Sequence, residues 1–262
     1  MLNQWLQAAQ RSSGGFTRFG VTDVTELGAP SDAVKDHLYE LLQVSAVDPG
    51  FLGDLANRLG WEKTRAIVSQ RLPSNSSARR GRFGEVVGVN MLHQFDGYVI
   101  PIEKAHFSIT GGQSQPSTDA VLLRVGDNGA ITEVCFVESK LRTRLDGMAG
   151  AEGVRQLKAD YAKEIPDMLT FTASRLYERG DPLYYPFMEY MSSRDEEQQR
   201  DTFRLLLFYD TSAWSEKCLA NIEDDEPDLS PVTVHAARIA DLPDLVSDLF
   251  GRCGMQVIDD EP

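Results

Sequence analysis

The stretch Ile131–Leu141 (ITEVCFVESKL) constrains the fold more than any other part of the chain. From Val134 to Val137 every side chain is apolar, so an extended segment here would need cover on both faces, as a central strand does. The run ends in Glu138-Ser139-Lys140, which brings two charges to the tip of that strand. Just upstream, Asp127-Asn128-Gly129 is a turn signal, and Ser117–Val125 (STDAVLLRV) is a second strand candidate. The two segments read as a β-hairpin.

The rest of the chain reads as helices placed around such a sheet. Residues 31–46 open on Ser31-Asp32, a helix N-cap, and repeat Val34, Leu38, Leu41 and Leu42 at helical spacing. Further helices fit 60–71 and 80–95. Short strands fit 98–103 and 105–109. Gly147, Gly150 and Gly153 suggest a flexible entry into a helix that carries Val154, Leu157, Tyr161 and Ile165 on one face. Another helix fits 166–179, strands fit Arg204–Tyr209 and Val232–Arg238, and a last helix fits Leu242–Phe250 before an acidic end that should fray. The fold class is therefore α/β (or α+β), a central mixed sheet flanked by helices. Its division would be a helical N-terminal region, 1–78, packed on a core of 79–262 with an acidic tail.

Charge bears on what such a core could bind. With 26 Lys+Arg against 40 Asp+Glu, the 262-residue chain has a formal charge of −14, which argues against a nucleic-acid partner. Its distribution is uneven. Arg58 to Arg82 holds seven basic residues and one acid, and Lys140 to Lys158 holds five basic residues and two acids. The acids gather in Glu223-Asp224-Asp225-Glu226 and in Asp259-Asp260-Glu261, a candidate docking face for a basic partner. No run of 18 apolar residues is present, so no membrane partner is expected. The start, MLNQWLQAAQRSSGG, does not read as a signal peptide, and three cysteines without a CxxC fit free thiols in a reducing cytoplasm.

Glu138 and Lys140 are two residues apart and share a face of their strand. Pairing across the turn brings Asp119 near Glu138. Adjacent carboxylates repel unless a cation lies between them, and hard oxygen ligands suit Mg²⁺ or Mn²⁺. A lysine beside them can act on a water or offset charge on a phosphoryl transition state. Glu85 follows Arg79-Arg80-Gly81-Arg82-Phe83-Gly84 near the start of a helix, and Gln156 lies in the helix after the Glu-x-Lys strand. The order is Glu, Asp, Glu-x-Lys, Gln, at spacings of 34, 19, 2 and 16 residues.

In these residues, over about 79–165, the chain resembles the PD-(D/E)XK nuclease superfamily, with Pro116 displaced to three residues before Asp119. The resemblance implies a restriction-endonuclease-like core and Mg²⁺-dependent phosphodiester hydrolysis. Asp119 and Glu138 would bind metal, Lys140 would act on the attacking water, and Glu85 and Gln156 would support the site. The Arg-Arg-Gly-Arg-Phe-Gly-Glu helix start, the Ser-Thr-Asp and Glu-Ser-Lys strands and the helical lead-in resemble, more narrowly, the HamA family. Its members are nuclease subunits of Hachiman anti-phage systems. That implies a DNA substrate and a partner of the HamB type, a superfamily 2 helicase that uses ATP and holds the nuclease in check.

Blander readings stand beside each feature. A lone Glu-x-Lys is most often a surface ion pair, worth ~0–1 kcal/mol. Glu85 alone fits a first-turn acid that complements the helix dipole, and Gln156 alone fits a solvated helix position. Arg79, Arg80 and Arg82, with Arg142 and Arg144, are candidate phosphate contacts or else a solvated face. The chain has no GxxxxGK[ST] loop, its glycines lack GxGxxG spacing, and its four histidines are scattered. Trp5, Trp61 and Trp214 fit packing or interface anchors better than base-stacking platforms. The combined order favours a nuclease site, and the resemblance it carries implies a Mg²⁺-dependent deoxyribonuclease. The rivals are a non-catalytic regulatory subunit on a nuclease fold, and an RNase or restriction-type nuclease.

Overall fold

The computed structural model describes residues 1–11, 16, 19–107, 118–162, 166–193, 200–224, 229 and 231–255. Among them lies a mixed sheet of six strands in the order β1-β2-β6-β5-β4-β3. The strands are β1 (Leu6–Gln10), β2 (Phe19–Glu26), β3 (Ala120–Val125), β4 (Ile131–Arg142), β5 (Arg200–Asp210) and β6 (Val232–Ile239). Neighbours among β2, β6, β5 and β4 pair in parallel, while β1 and β3 lie antiparallel at the two edges.

The apolar run of β4 is covered on both faces, as its composition requires. Cys135 and Val137, with Leu206 and Phe208 of β5, pack against Phe83 and Val87 of α4 (Ser76–Asp96), beneath α1 (Asp32–Ala46) and α9 (Leu242–Met255). Val134 and Phe136, with Leu205 and Leu207, pack against Val154 and Leu157 of α5 (Ala149–Tyr161) and against α6 (Asp167–Glu178) and α7 (Tyr184–Ser192). Each such fully buried Leu, Val or Phe contributes roughly 1.5–3 kcal/mol relative to an exposed one.

The helix starts follow their caps. Ser31 accepts a hydrogen bond from the Val34 amide, and Asn75 accepts one at 2.8 Å from the Ala78 amide. The expected hairpin is present, with Gly129 in the left-handed region at φ 80° closing the turn between β3 and β4.

Three sequence expectations are corrected. The helical lead-in, α1 with α2 (Pro49–Leu59) and α3 (Trp61–Arg71), is preceded by β1 and β2, which belong to the core sheet. β1 buries only Leu6, so it carries no alternation for periodicity to detect. The strands expected at 98–103 and 105–109 reduce to one bridge, Val99 to Leu123, and a 3-10 turn at Lys104–Phe107, with 108–109 outside the described residues. Gly150 and Gly153 are not a flexible entry but buried positions inside α5. A Cβ on Gly150 would lie 2.2 Å from the Cys218 carbonyl of α8 (Lys217–Asp224), and one on Gly153 would lie 2.4 Å from Leu205 Cδ1.

Ile165 and the acidic tail lie outside the described residues. Among the described residues, no helix is long and apolar enough to cross a membrane, and Cys135 and Cys218 are buried free thiols.

Candidate active site

The β3–β4 register pairs Ala120 with Val137, and one step further along the hairpin Asp119 meets the end of β4. Asp119 Oδ2 accepts a hydrogen bond of 2.8 Å from the Ser139 amide. Glu138 is 1% exposed, and its Oε1 lies 2.5 Å from Lys140 Nζ. Lys140 Nζ also donates to Gln156 Oε1 of α5 at 2.9 Å. Asp119, Glu138, Lys140 and Gln156 thus converge as their order in the sequence implies.

Glu85 comes from the opposite side of the sheet. Helix α4 lies so close to β4 that a Cβ on Gly84 would sit 2.7 Å from Ser139 Oγ. That approach brings the next residue, Glu85, into the same cleft as Asp119 and Glu138. On the other face Gly153 does the same for α5, and so for Gln156, three residues on. The glycines therefore set the width of the site, and any larger residue would push a helix and its polar side chain away from the strand end.

The electrostatics are those of a buried anionic cluster. Burial, then Glu138 and Glu85, hold the Asp119 carboxyl well above the usual carboxylate range. Burial raises Glu138 too, against the opposing pull of Lys140. A second lysine faces the cluster, and sequence reading missed it. Lys104 Nζ donates to the Thr118 carbonyl at 2.7 Å, next to Asp119. Burial lowers its pKa, while Asp119, Glu85 and Glu138 raise it. Lys104 falls within the span of the motif, between Glu85 and Asp119, but sits in a turn, so neither spacing nor periodicity points to it.

Glu138 Oε2 is buried with no hydrogen-bond partner among the described residues. An orphaned carboxylate oxygen beside a second carboxylate is a donor set that fits a hard cation. Among the described residues no group of three His, Cys, Asp or Glu could cage a metal. Mg²⁺ is held by one or two carboxylates and keeps several waters, which matches Asp119 with Glu138.

The cleft above these groups has a volume of about 920 Å³. Arg80 and the exposed Arg144 line it. The other candidate arginines are otherwise engaged. Arg142 also lines the cleft but is tied to Asp146 at 2.6 Å and Glu152 at 3.1 Å. Arg82 is 7% exposed and lies 3.8 Å from Glu85. Arg79 donates to the Pro73 carbonyl and lies over the Phe250 ring. Ser117, Pro116 and the side chains of the acidic run 223–226 lie outside the described residues.

The family model for HamA matches residues 23–244, from β2 into α9, and that span includes every residue of the site. The chain belongs to the HamA family. The narrower resemblance, to the HamA family, thus holds over most of the chain. No curated protein matches it.

Proposed function

We propose that this HamA-family chain is a Mg²⁺- or Mn²⁺-dependent DNA endonuclease with a PD-(D/E)XK-type site. It is the effector subunit of a Hachiman anti-phage complex, controlled by a HamB-like superfamily 2 helicase. The observation that carries the reading is the orphaned Glu138 oxygen beside Asp119, with Lys140 held between Glu138 and Gln156.

Asp119 and Glu138 would hold the divalent ion, which when bound supplies charge neutralisation to the phosphate and acidity to water. The Ser139 amide fixes Asp119, so that one carboxylate is oriented by backbone instead of by a flexible side chain. Lys140, steadied by the Gln156 amide oxygen, presents its ammonium where the attacking water and the non-bridging phosphate oxygens come together. Glu85 adds a third carboxylate at the rim, where it can hydrogen-bond ordered water. The water oxygen bonds to phosphorus as the water releases a proton to solvent, one phosphodiester P–O bond breaks, and the departing alkoxide takes up a proton from solvent water. Arg80 and Arg144 meet the flanking phosphates. Family membership supports the defence role and the helicase partner.

The test is Glu138→Ala combined with Lys140→Ala. The double variant should lose Mg²⁺-dependent plasmid cleavage while keeping its circular dichroism spectrum and its partner. Cleavage at the parent rate would overturn the site assignment.

A further inference from the structure

Between β4 and α5, directly after the Glu-x-Lys strand, the chain turns through residues 143–148, and Leu145 at that turn is 69% exposed. An exposed leucine is ordinary on a loose surface loop. This loop is not loose. Asp146 accepts from Arg142 Nε at 2.6 Å through one carboxylate oxygen and from the Met148 amide at 3.0 Å through the other. The Tyr209 hydroxyl donates to the Asp146 carbonyl at 2.5 Å, and Asn221 Nδ2 donates to the Gly147 carbonyl at 2.8 Å. The turn is therefore tied to β4, β5 and α8 at once. Its apolar tip is held out to solvent by a frame of polar contacts, three of them half-buried.

The position of the tip gives the frame a purpose. Leu145 lines the catalytic cleft, with the exposed Arg144 beside it and Arg80 also on the wall. Five residues of extended chain span at most about 16–18 Å, so Leu145 lies within that distance of Lys140. A duplex with a phosphate at Lys140 would thus have base steps within reach of the leucine. Many proteins that bind the minor groove insert an apolar side chain, leucine among them, between base steps, which unstacks the step and kinks the duplex.

We propose that Leu145 is a wedge that opens a base step near the scissile phosphate, with Arg144 holding the adjoining backbone. This rests on the nuclease reading and deepens it, because it makes intact duplex the substrate that the site is built to distort. The substrate property it governs is stacking, not base identity. A duplex already opened by a mismatch bubble should not need the leucine.

The experiment compares the full chain with Leu145→Ala and Leu145→Met on a continuous duplex and on the same duplex with a central bubble. Both cleavage and 2-aminopurine fluorescence at the central step are read, the latter in Ca²⁺. Leu145→Ala should lose about tenfold or more on the continuous duplex, the scale of one unstacked step. It should also lose the fluorescence rise, and should cut the bubble at the parent rate. Leu145→Met should behave as the parent. Equal activity of Leu145→Ala on both substrates, at or below the parent rate, overturns the wedge and leaves the nuclease reading intact. So does a defect confined to binding a protein partner, which would make the leucine a protein contact. A parent chain that, with its helicase present, neither cuts nor perturbs any DNA overturns the nuclease reading and the wedge together.

Discussion

Lys140 Nζ lies 2.5 Å from Glu138 Oε1, on the same face of β4, and is the ion partner of a carboxylate that is 1% exposed. The pair is asymmetric, because the lysine keeps 17% of its side chain in water while the glutamate keeps almost none. Removing the lysine strands a buried charge. Removing both groups removes the charge with its partner. Lys140→Ala should therefore destabilise the metal-free fold by somewhat less than the roughly 3–5 kcal/mol typical of breaking a fully buried pair. The double variant with Glu138→Ala should be less destabilised than Lys140→Ala alone. Urea unfolding in EDTA of both single variants and the double gives the cycle, and additive losses would show that the two groups are not coupled.

Much of this site was legible because a hairpin converts sequence spacing into spatial pairing. Once Asp127-Asn128-Gly129 is read as the turn, Asp119 must fall near Glu138; the Ala120–Val137 register continued by one step agrees, and the Asp119 carboxylate accepts from the Ser139 amide. Gln156 and Glu85 were legible only through their order along the chain, since each alone fits an ordinary helix position. Lys104 was not legible. It reaches the cluster from a turn whose path depends on tertiary packing, and local pattern assigned that stretch to strands. The glycines of α5 were misread for a related reason. A glycine in sequence signals freedom, whereas Gly150 and Gly153 are needed for the opposite property, contact too close for any side chain. β1 escaped notice because an edge strand with one buried residue has no alternation to report.

That close contact can be tested at two positions with different neighbours. A methyl on Gly150 would meet the Cys218 backbone carbonyl at 2.2 Å, which cannot move without α8. A methyl on Gly84 would meet Ser139 Oγ, a side-chain atom, at 2.7 Å. Gly150→Ala should thus cost at least the upper end of the ~1–3 kcal/mol usual for overpacking, and Gly84→Ala about 1 kcal/mol. The activity order should invert relative to stability. Gly84→Ala shifts Glu85 and should lower the cleavage rate more than its modest loss of stability explains. Chemical denaturation and cleavage assays on the same preparations check both.

His235 carries a pH dependence of stability. It is 3% exposed, and burial, with the nearby Arg204 cation, lowers its pKa from 6.5 to about 3. Asp96 Oδ2 lies 3.6 Å from its Nε2, but the imidazole is neutral at ordinary pH, so this is not an ion pair there. The folded chain then binds fewer protons than the unfolded one. Stability from this group is fully present above pH 6.5 and is lost as the pH falls toward 3. The slope approaches about 1.4 kcal/mol per pH unit within that window. His235→Gln should flatten the fall in unfolding free energy between those limits by that amount. A parallel pair of curves for parent and variant would contradict the assignment.

The candidate arginines should separate into two groups by salt dependence. Arg80 and Arg144 line the cleft, so replacing either by alanine should weaken DNA binding and reduce the slope of log affinity against log salt by ~0.9 per lost phosphate contact. Arg82 is buried beside Glu85, and Arg142 is spent on Asp146 and Glu152. Their replacement should lower the unfolding free energy and, for Arg142, loosen the 143–148 turn, while leaving the salt slope near that of the parent. Fluorescence anisotropy with a labelled duplex over a salt series, paired with urea unfolding, reads both quantities. A reduced salt slope for Arg82→Ala would mean that the guanidinium leaves its buried position to meet the phosphate. The acidic chain would then be recruiting its charge from the interior.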